Sequence, residues 1–420
     1  MATSDIYRAP VGTKDVIGEE SRAWQSVIAR FARRAHAYNY DLAITPTYEN
    51  IEVFQRLGED TEVVTKEMYD FVDKGNRHIA LRPEGTAGLV RAYAQHRPPL
   101  PFKAFYVVSN FRYERPQKGR LREHHQLGIE ALGIDDPAID VEIIQFAHEF
   151  LTDCGLKDFT LAINSLGDAS ARESHMSALR EYFAQHESRL GEEFAARVAR
   201  NPLRVLDTKV PDWQEVVADA PSIHDFLSTE SKGAFNYVKT SLTELGIAFN
   251  VVPSLVRGLD YYTNTAFEFV SHSLDAAQST ICGGGRYNKL AAEMGAPETP
   301  GIGFGLGIER LLLACEAEGV DLGERTLDAI VIDLVHSDES RVSVNELKST
   351  LRNAGISVDT AFGSKSMKAA MKNADRSGAR YAILLGESEL SSGVVALKDM
   401  TTGEQREISF SECSKNIMRG

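Results

Sequence analysis

Apolar residues recur at helical spacing over residues 21–38, where Trp24, Val27, Ile28 and Phe31 share one face of an Ala- and Arg-rich stretch. Ser21 is placed to cap that helix. A short strand over 42–46 ends at Pro46, and a second over 78–81 runs into a Pro83-Glu84-Gly85 turn. Thr86 then reads as the N-cap of a helix over 87–95, which Pro98, Pro99 and Pro101 terminate. Apolar runs at 102–111 and 127–132 flank a basic, turn-rich segment, and this predicts an antiparallel strand–loop–strand unit. A helix over 140–151 and a strand over 159–164 follow.

From about residue 168 to 250 the pattern turns charged and helical, broken by Pro202, Pro211 and Pro221, and predicts a helical insertion. Strands return at 255–256 and 265–270, followed by three glycines at 283–285 and a helix from about Tyr287. Glycine alternates with apolar residues over 301–307 before a helix over 308–318. Strands in hairpin order predict an α+β domain built on an antiparallel sheet. After Gly323 the grammar changes: strands at 328–335, 356–360 and 381–385 alternate with helices at 338–354 and 366–377, the pattern of a small parallel or mixed α/β domain. The predicted domains are therefore 1–324, with the insertion at about 168–250, and 325–420.

Length and composition agree with this division. A chain of 420 residues with 43% hydrophobic and 25% charged content suits a soluble globular protein of two domains. No stretch approaches the roughly 20 apolar residues of a membrane span, and residues 1–15 lack a signal-like apolar core. Cys154, Cys282, Cys315 and Cys413 stand far apart without a CxxC pair, poor material for a zinc site or a disulfide framework. A cytoplasmic location is expected. The net charge of −14 resides in the body: residues 325–420 hold 13 basic and 13 acidic residues, leaving 33 against 47 (from totals of 46 and 60) before them. That excludes indiscriminate coating of nucleic acid but not a shaped site with local positive charge.

The strongest chemical signal is Asn-Phe-Arg-Tyr-Glu-Arg-Pro-Gln-Lys-Gly-Arg-Leu-Arg-Glu-His-His-Gln over 110–126. Five cations face one carboxylate, Glu114, between Arg112 and Arg122. Arginines on paired strands can clamp a polyphosphate, and a lone carboxylate can accept from an exocyclic amine. A solvated basic hairpin is the plain alternative. The second signal is Pro-Gly-Ile-Gly-Phe-Gly-Leu-Gly-Ile-Glu-Arg over 300–310, which is neither a Rossmann fingerprint nor a P-loop. Glycines two apart clear one face of a strand so that a flat ligand can approach the backbone, with Arg310 entering nearby; a merely packed glycine strand is the alternative. Leu-Val-Arg-Gly-Leu-Asp-Tyr-Tyr over 255–262 and Cys-Gly-Gly-Gly-Arg-Tyr-Asn-Lys over 282–289 read alone as a tyrosine-bearing turn and a glycine loop. His124 and His125 would point opposite ways on a strand, and no metal-ligand set is evident. No nucleophile–base spacing stands out either. The residues themselves point to a nucleotide-using enzyme that works by positioning and electrostatics.

Taken in order, Ile-Thr-Pro at 44–46, Phe-Arg-Tyr-Glu-Arg at 111–115 and Gly-Phe-Gly-Leu-Gly-Ile-Glu-Arg at 303–310 resemble motifs 1, 2 and 3 of class II aminoacyl-tRNA synthetases. The segments at 255–262 and 283–287 resemble the two signatures of the histidyl-tRNA synthetase family; Leu-Arg-Pro-Glu-Gly-Thr at 81–86 and Asn-Pro-Leu-Arg-Val-Leu-Asp-Thr-Lys at 201–209 resemble its bacterial form. The likeness implies ATP-dependent activation of L-histidine, with Mg2+, and transfer to the 3′ end of tRNA(His). It implies that Arg112 holds the α-phosphate, Glu114 reads the adenine amino group, and Arg120 and Arg310 grip the distal phosphates. Arg257 would stabilise charge on the α-phosphate. Glu84, Gly85, Thr86 and Gln126 would surround the substrate α-amino group, and Glu130 and Tyr262 the two ring nitrogens, with Tyr261 beside them. Gln117 and Arg122 would meet the tRNA acceptor end, residues 325–420 would bind the anticodon, with Ser-Lys-Ser-Met-Lys at 364–368 among their family-like features, and the segment around motif 1 would form a homodimer.

Two departures stand out. His124 occupies a position where the family carries a Phe that stacks on adenine, and Asn288-Lys289 replaces an Asp-Gly pair. Two other readings compete: a synthetase-like regulatory subunit of ATP phosphoribosyltransferase, and an enzyme adenylating another substrate. Retention of the C-terminal domain, of Arg112, Arg257 and Arg310, and of Glu130, Tyr261 and Tyr262 argues against both.

Overall fold

The computed structural model describes residues 7–55, 63–206, 208, 210–256, 261–275, 278–323, 327–363 and 366–419. The chain divides into two compact units, Met1–Gly323 and Glu324–Gly420. Strands are numbered along the chain. In the first unit they are β1 (Asp41–Leu42), β2 (Tyr48–Asn50), β3 (Asp70–Val72), β4 (His78–Leu81), β5 (Phe102–Phe111), β6 (Glu123–Leu132), β7 (Phe159–Ser165), β8 (Phe249–Val251), β9 (Thr263–Ser271), β10 (Thr280–Arg286) and β11 (Gly301–Gly307).

Eight of them form one sheet in the order β1-β5-β6-β11-β10-β9-β7-β8, antiparallel except at its two edges, where β1 pairs parallel to β5 and β8 parallel to β7. Alternation gives the sheet two unlike faces. Leu127, Ile129, Phe267, Phe269, Ile302, Phe304 and Leu306 pack into one large core with Trp24, Val27 and Phe31 of the helix Gly18–Ala37 and with Phe146 and Phe150 of the helix Ala138–Asp153. The other face is nearly bare of apolar bulk in its middle. There Gly303 sits opposite Glu130, Gly305 opposite Gly128 and Gly307 opposite Gln126, while β10 adds Gly283 and Gly285 beside Gly305 and Gly303. A methyl group at Gly303 would overlap the Glu130 carboxylate, and one at Gly305 the Gln126 amide. Glycine is thus required where the two side chains lie flat across the strand.

The insertion is helical, with its main helices at Ala169–Ala184, Glu192–Arg200, Pro211–Ala218 and Thr229–Glu244, and has its own small core of Leu179, Phe183, Phe194, Val198 and Trp213. The second unit carries β12 (Ala329–Asp333), β13 (Val358–Thr360), β14 (Tyr381–Leu385), β15 (Val394–Asp399) and β16 (Gln405–Ser409), ordered β13-β12-β14-β15-β16. Its first three strands are parallel and its last two antiparallel. Helix Asp338–Asn353 covers one face, and helix Met367–Ser377 the other.

Several local expectations are corrected. The first helix begins at Gly18, so Ser21 lies inside it and donates to the Gly18 carbonyl. The strand expected over 42–46 ends at Leu42. The strand expected at 255–256 forms instead at β8, and the glycines at 283–285 are an interior strand rather than a loop. Glycines carry no side chain to show a period of two, which is why the pattern misses β10. The helix from about 287 is a single turn, Leu290–Glu293.

Candidate active site

The helix Thr86–His96 begins at the end of β4, and Thr86 is its first residue rather than its cap. The capping is done by Glu84, whose two carboxylate oxygens accept from the backbone N–H of Thr86 and of Ala87, each at 2.7 Å. Those bonds favour the charged form of Glu84, yet burial outweighs them and pushes its carboxyl above the usual range. Freed from capping, the Thr86 hydroxyl donates to Glu130 Oε1 at 2.6 Å.

Glu130 is the centre of this end of the site. It is fully buried on β6. Besides Thr86, the Tyr287 hydroxyl donates to its Oε2 and the Tyr106 hydroxyl to its Oε1 at 3.4 Å. Burial and then the nearby charge of Glu84 push it up to about 8 from an ordinary 4.5, against the opposing pull of these hydroxyls. Burial and Glu84 thus favour the neutral carboxyl in the empty pocket, while the three hydroxyls favour the charged one. Tyr261 and Tyr262 wall the same pocket, their rings 4.5 Å apart, with the Tyr261 hydroxyl donating to that of Tyr262 at 3.4 Å. Tyr261 meets Tyr287 edge-on at 5.7 Å. Tyr287 is fixed from below: its neighbour Arg286 is buried and paired with Asp140, and donates to the carbonyls of Ile134 and Asp136.

Along the same sheet face, at the loop end of the β5–β6 hairpin, lies a cleft lined by Arg112, Glu114, Arg120, His124, Gln126 and Arg310 among others. Arg112 donates to the Pro83 carbonyl at 2.9 Å, tying this cleft to the turn that carries Glu84 and Gly85. Gln126 accepts from the Asn110 amide at 3.0 Å. Arg310 enters from the helix Ile308–Ala317 and donates to the carbonyls of Gly119 and Thr280. Its guanidinium is pulled below its usual range by burial and then by the charges of Arg120 and Arg112. Three cations that repel one another in a concave site are arranged for a polyanion. His124 feels the same field: burial first, then Arg112 and Arg310, lower its imidazole to about 3, so it is a neutral, flat ring. Its neighbour His125 points away, edge-on to Trp24 and bonded through Nδ1 and its backbone N–H to Glu309. No cluster of three potential metal ligands occurs among the described residues.

The structure thus gathers Glu84, Gly85, Thr86, Gln126, Glu130, Tyr261 and Tyr262 around one end of the face and Arg112, Glu114, Arg120, His124 and Arg310 around the other. Glu114 and Arg120 form an ion pair with each other. Gln117 pairs with Arg120 at the hairpin tip, and Arg122 lies over the Tyr113 ring at 3.9 Å. Arg257 falls outside the described residues, as do Ser364 and Lys365. Two residues on Glu130, Tyr106 and Tyr287, were not expected from the sequence; alternation on β5 places Tyr106 on the glycine face and could have revealed it.

An antiparallel sheet bearing an arginine-lined hairpin cleft beside a glycine strand that ends in an arginine helix is the catalytic architecture of a class II aminoacyl-tRNA synthetase. Comparison narrows the class. A family model described as histidyl-tRNA synthetase matches residues 12–311, and one described as anticodon binding domain matches residues 328–419. The chain is 45% identical over 415 residues to the histidine–tRNA ligase of Lactiplantibacillus plantarum, and the match covers 97% of each. It is 46% identical over 411 residues to that of Saccharopolyspora erythraea, again covering 97% of each. Its fold matches the crystal structure of apo histidyl-tRNA synthetase from S. aureus with a TM-score of 0.79 at 37% identity, covering 98% of this chain and 99% of that one. The chain belongs to the histidyl-tRNA synthetase family.

The raised Glu130 carboxyl makes a prediction with a definite sign. Below about 4.5 the folded and unfolded chains both hold this proton; between there and about 8 only the folded chain does. Folding then takes up a proton, so this contribution to stability is full in acid and lost as pH rises across the window. Ligand-free protein should lose more melting temperature than a Glu130→Gln variant between roughly pH 5 and pH 8. Equal losses in the two proteins would show that Glu130 is ionised in the empty site.

Proposed function

We propose that this chain joins L-histidine to ATP as histidyl-adenylate and passes the histidyl group to tRNA(His). The observation that carries the reading is one continuous sheet face with a buried carboxyl-and-tyrosine pocket at one end and a three-arginine cleft at the other. A histidine carboxylate oxygen attacks the α-phosphorus of ATP, the bond to the bridging oxygen breaks, and pyrophosphate leaves. Arg112 takes the α-phosphate and Arg120 and Arg310 the distal ones. Arg257 supplies charge at the attacked phosphorus. Glu114 reads the adenine amino group, so its pair with Arg120 opens as ATP enters. The neutral His124 ring stacks on the adenine, with less apolar area than a Phe offers.

Glu130 and Tyr262 address the imidazole nitrogens, and Glu84, Gly85, Thr86 and Gln126 the α-amino end. A side chain without matching polar atoms leaves these buried groups unpaired, a mismatch that discriminates by roughly 10⁴-fold where a site is built for hydrogen bonding. Magnesium fits as a counter-ion of the phosphates. The two carboxylates whose charge bears on Arg310, Glu268, which accepts from the Thr280 hydroxyl at 3.1 Å, and Glu309, which is bonded to His125, are the residues that would face the ion. An ion bound there would supply positive charge to offset that of the pyrophosphate. In the second half-reaction the terminal ribose hydroxyl of the tRNA, guided by Gln117 and Arg122, attacks the histidyl carbonyl and AMP departs. The C-terminal unit reads the anticodon; its match to the anticodon-binding family is what sets this chain apart from a regulatory paralogue without that unit.

The exposed apolar side chains of Leu42, Ile44, Tyr48, Phe71 and Val72 lie on β1 to β3 and their connections, the region of motif 1. Exposed apolar residues concentrated in one region mark an association surface, which supports a homodimer there. The four cysteines are buried and free, which suits the reducing cytoplasm.

The decisive test of the activity is ATP–pyrophosphate exchange with amino acids supplied singly. Histidine alone should support exchange, and Arg257→Ala should slow it by about a hundredfold or more with the fold intact. Exchange with another amino acid, or near-normal turnover in that variant, contradicts the assignment. Sedimentation should give twice the 46.3 kDa of the chain; a monomer under active conditions contradicts the dimer.

A further inference from the structure

The helical insertion reaches the chain leading into and out of the histidine pocket through three separate hydrogen-bond contacts. The first is Asn164, fully buried at the end of β7. Its amide nitrogen donates to the carbonyls of Pro253 at 3.1 Å and Leu255 at 3.0 Å. With both amide hydrogens committed, its oxygen must accept, and it does so from the Ser165 N–H at 2.8 Å and from His224 Nε2 at 2.8 Å. His224 belongs to the insertion, in the turn Ile223–Asp225 that Ser222 caps. Its Nε2 therefore carries hydrogen, and the insertion fixes the orientation of the amide that grips residues 253 and 255.

The second contact is Arg172, in the first turn of the insertion helix that Asp168 caps. It donates to the backbone carbonyl of Tyr262 at 3.3 Å. The third is Ser231, whose hydroxyl donates to the Asn264 side chain at 3.0 Å. Asn264 adopts a left-handed backbone, φ 48°, two residues beyond Tyr262, and its N–H and C=O bond to Gly167 and Leu166. Residues on both sides of the pocket segment are thus held from the insertion.

His175 and Leu203 on the insertion side face Pro253, Val256 and Tyr262 across a small, mostly apolar cavity with room for about one water. Apolar contact is non-directional, so the hydrogen bonds decide where the Tyr262 backbone sits.

We propose that the insertion sets the geometry of the histidine pocket, with Asn164 and His224 acting as positioning residues for the chain at Pro253 and Leu255 and Arg172 for the backbone of Tyr262. This rests on the reading that Tyr262 faces the substrate imidazole. None of the three lines the cleft of Arg112, Arg120 and Arg310, so their loss raises the KM for histidine and leaves that for ATP near the parent's, while kcat falls with it because Arg257 follows Leu255 by two residues in the chain.

The test compares His224→Leu with His224→Gln, similar in size and differing in the donor, alongside Arg172→Ala, using ATP–pyrophosphate exchange and melting of the full-length chain. His224→Leu and Arg172→Ala should each raise the KM for histidine about tenfold, the scale of one lost buried hydrogen bond, with the KM for ATP within about twofold of the parent. His224→Gln should recover most of that loss. Unchanged histidine KM in the folded variants would overturn the proposal. So would a rise in both KM values together with early melting in Leu and Gln alike, which would mark a general structural role. Absence of histidine-dependent exchange in the parent chain would overturn the functional reading instead.

Discussion

A carboxyl group at the bottom of a protein pocket is costly unless hydrogen-bonded, and the costs at Glu130 shape everything around it. Three hydroxyls, from Thr86, Tyr106 and Tyr287, converge on its two oxygens. Each comes from a different element: the start of the helix Thr86–His96, the paired strand β5, and the residue after β10. Placing all three demands the surrounding architecture. Glu84 has to cap the helix so that Thr86 is free; Gly303 has to lack a side chain so that the carboxyl can lie over β11; Arg286 has to be anchored to Asp140 so that Tyr287 stands still.

The nucleotide cleft obeys a complementary constraint. At the Glu130 end the protein hides one acid among hydroxyls, and at the other burial and the charges of Arg120 and Arg112 pull Arg310 below its usual range. Both ends are unfavourable when empty and are relieved by ligands of the matching kind. On the proposed function, binding energy from phosphate goes into organising a site whose charge stabilises an in-line transfer, rather than into a covalent intermediate. The glycine face joins the two ends, because only a strand without side chains lets a flat substrate lie across both.

Much of this was legible in the chain. The charge excess at 112–122 and the alternating glycines at 303–307 carry their chemistry in their residue types, and both fell in the site. The strand–helix grammar after Gly323 likewise appeared as a mixed α/β unit. What escaped had no local signature. β10 has three successive glycines and hence no visible period. Tyr106 and Tyr287 look like any strand tyrosines until pairing brings them to Glu130. The bond from Arg172 to Tyr262 joins residues 90 positions apart and that from His224 to Asn164 residues 60 apart, and no window along the sequence contains both partners.

Burial pushes Glu130 toward the neutral carboxyl in the empty enzyme, and the proposed function makes it a hydrogen-bond acceptor for histidine when filled. Isotope-edited infrared spectroscopy with labelled glutamate, subtracting the Glu130→Gln spectrum, reads that state directly. Near neutral pH the ligand-free protein should show one protonated carboxyl stretch absent from the variant, and histidine should replace it with a carboxylate band. A carboxylate band at Glu130 before any histidine is added would contradict the account.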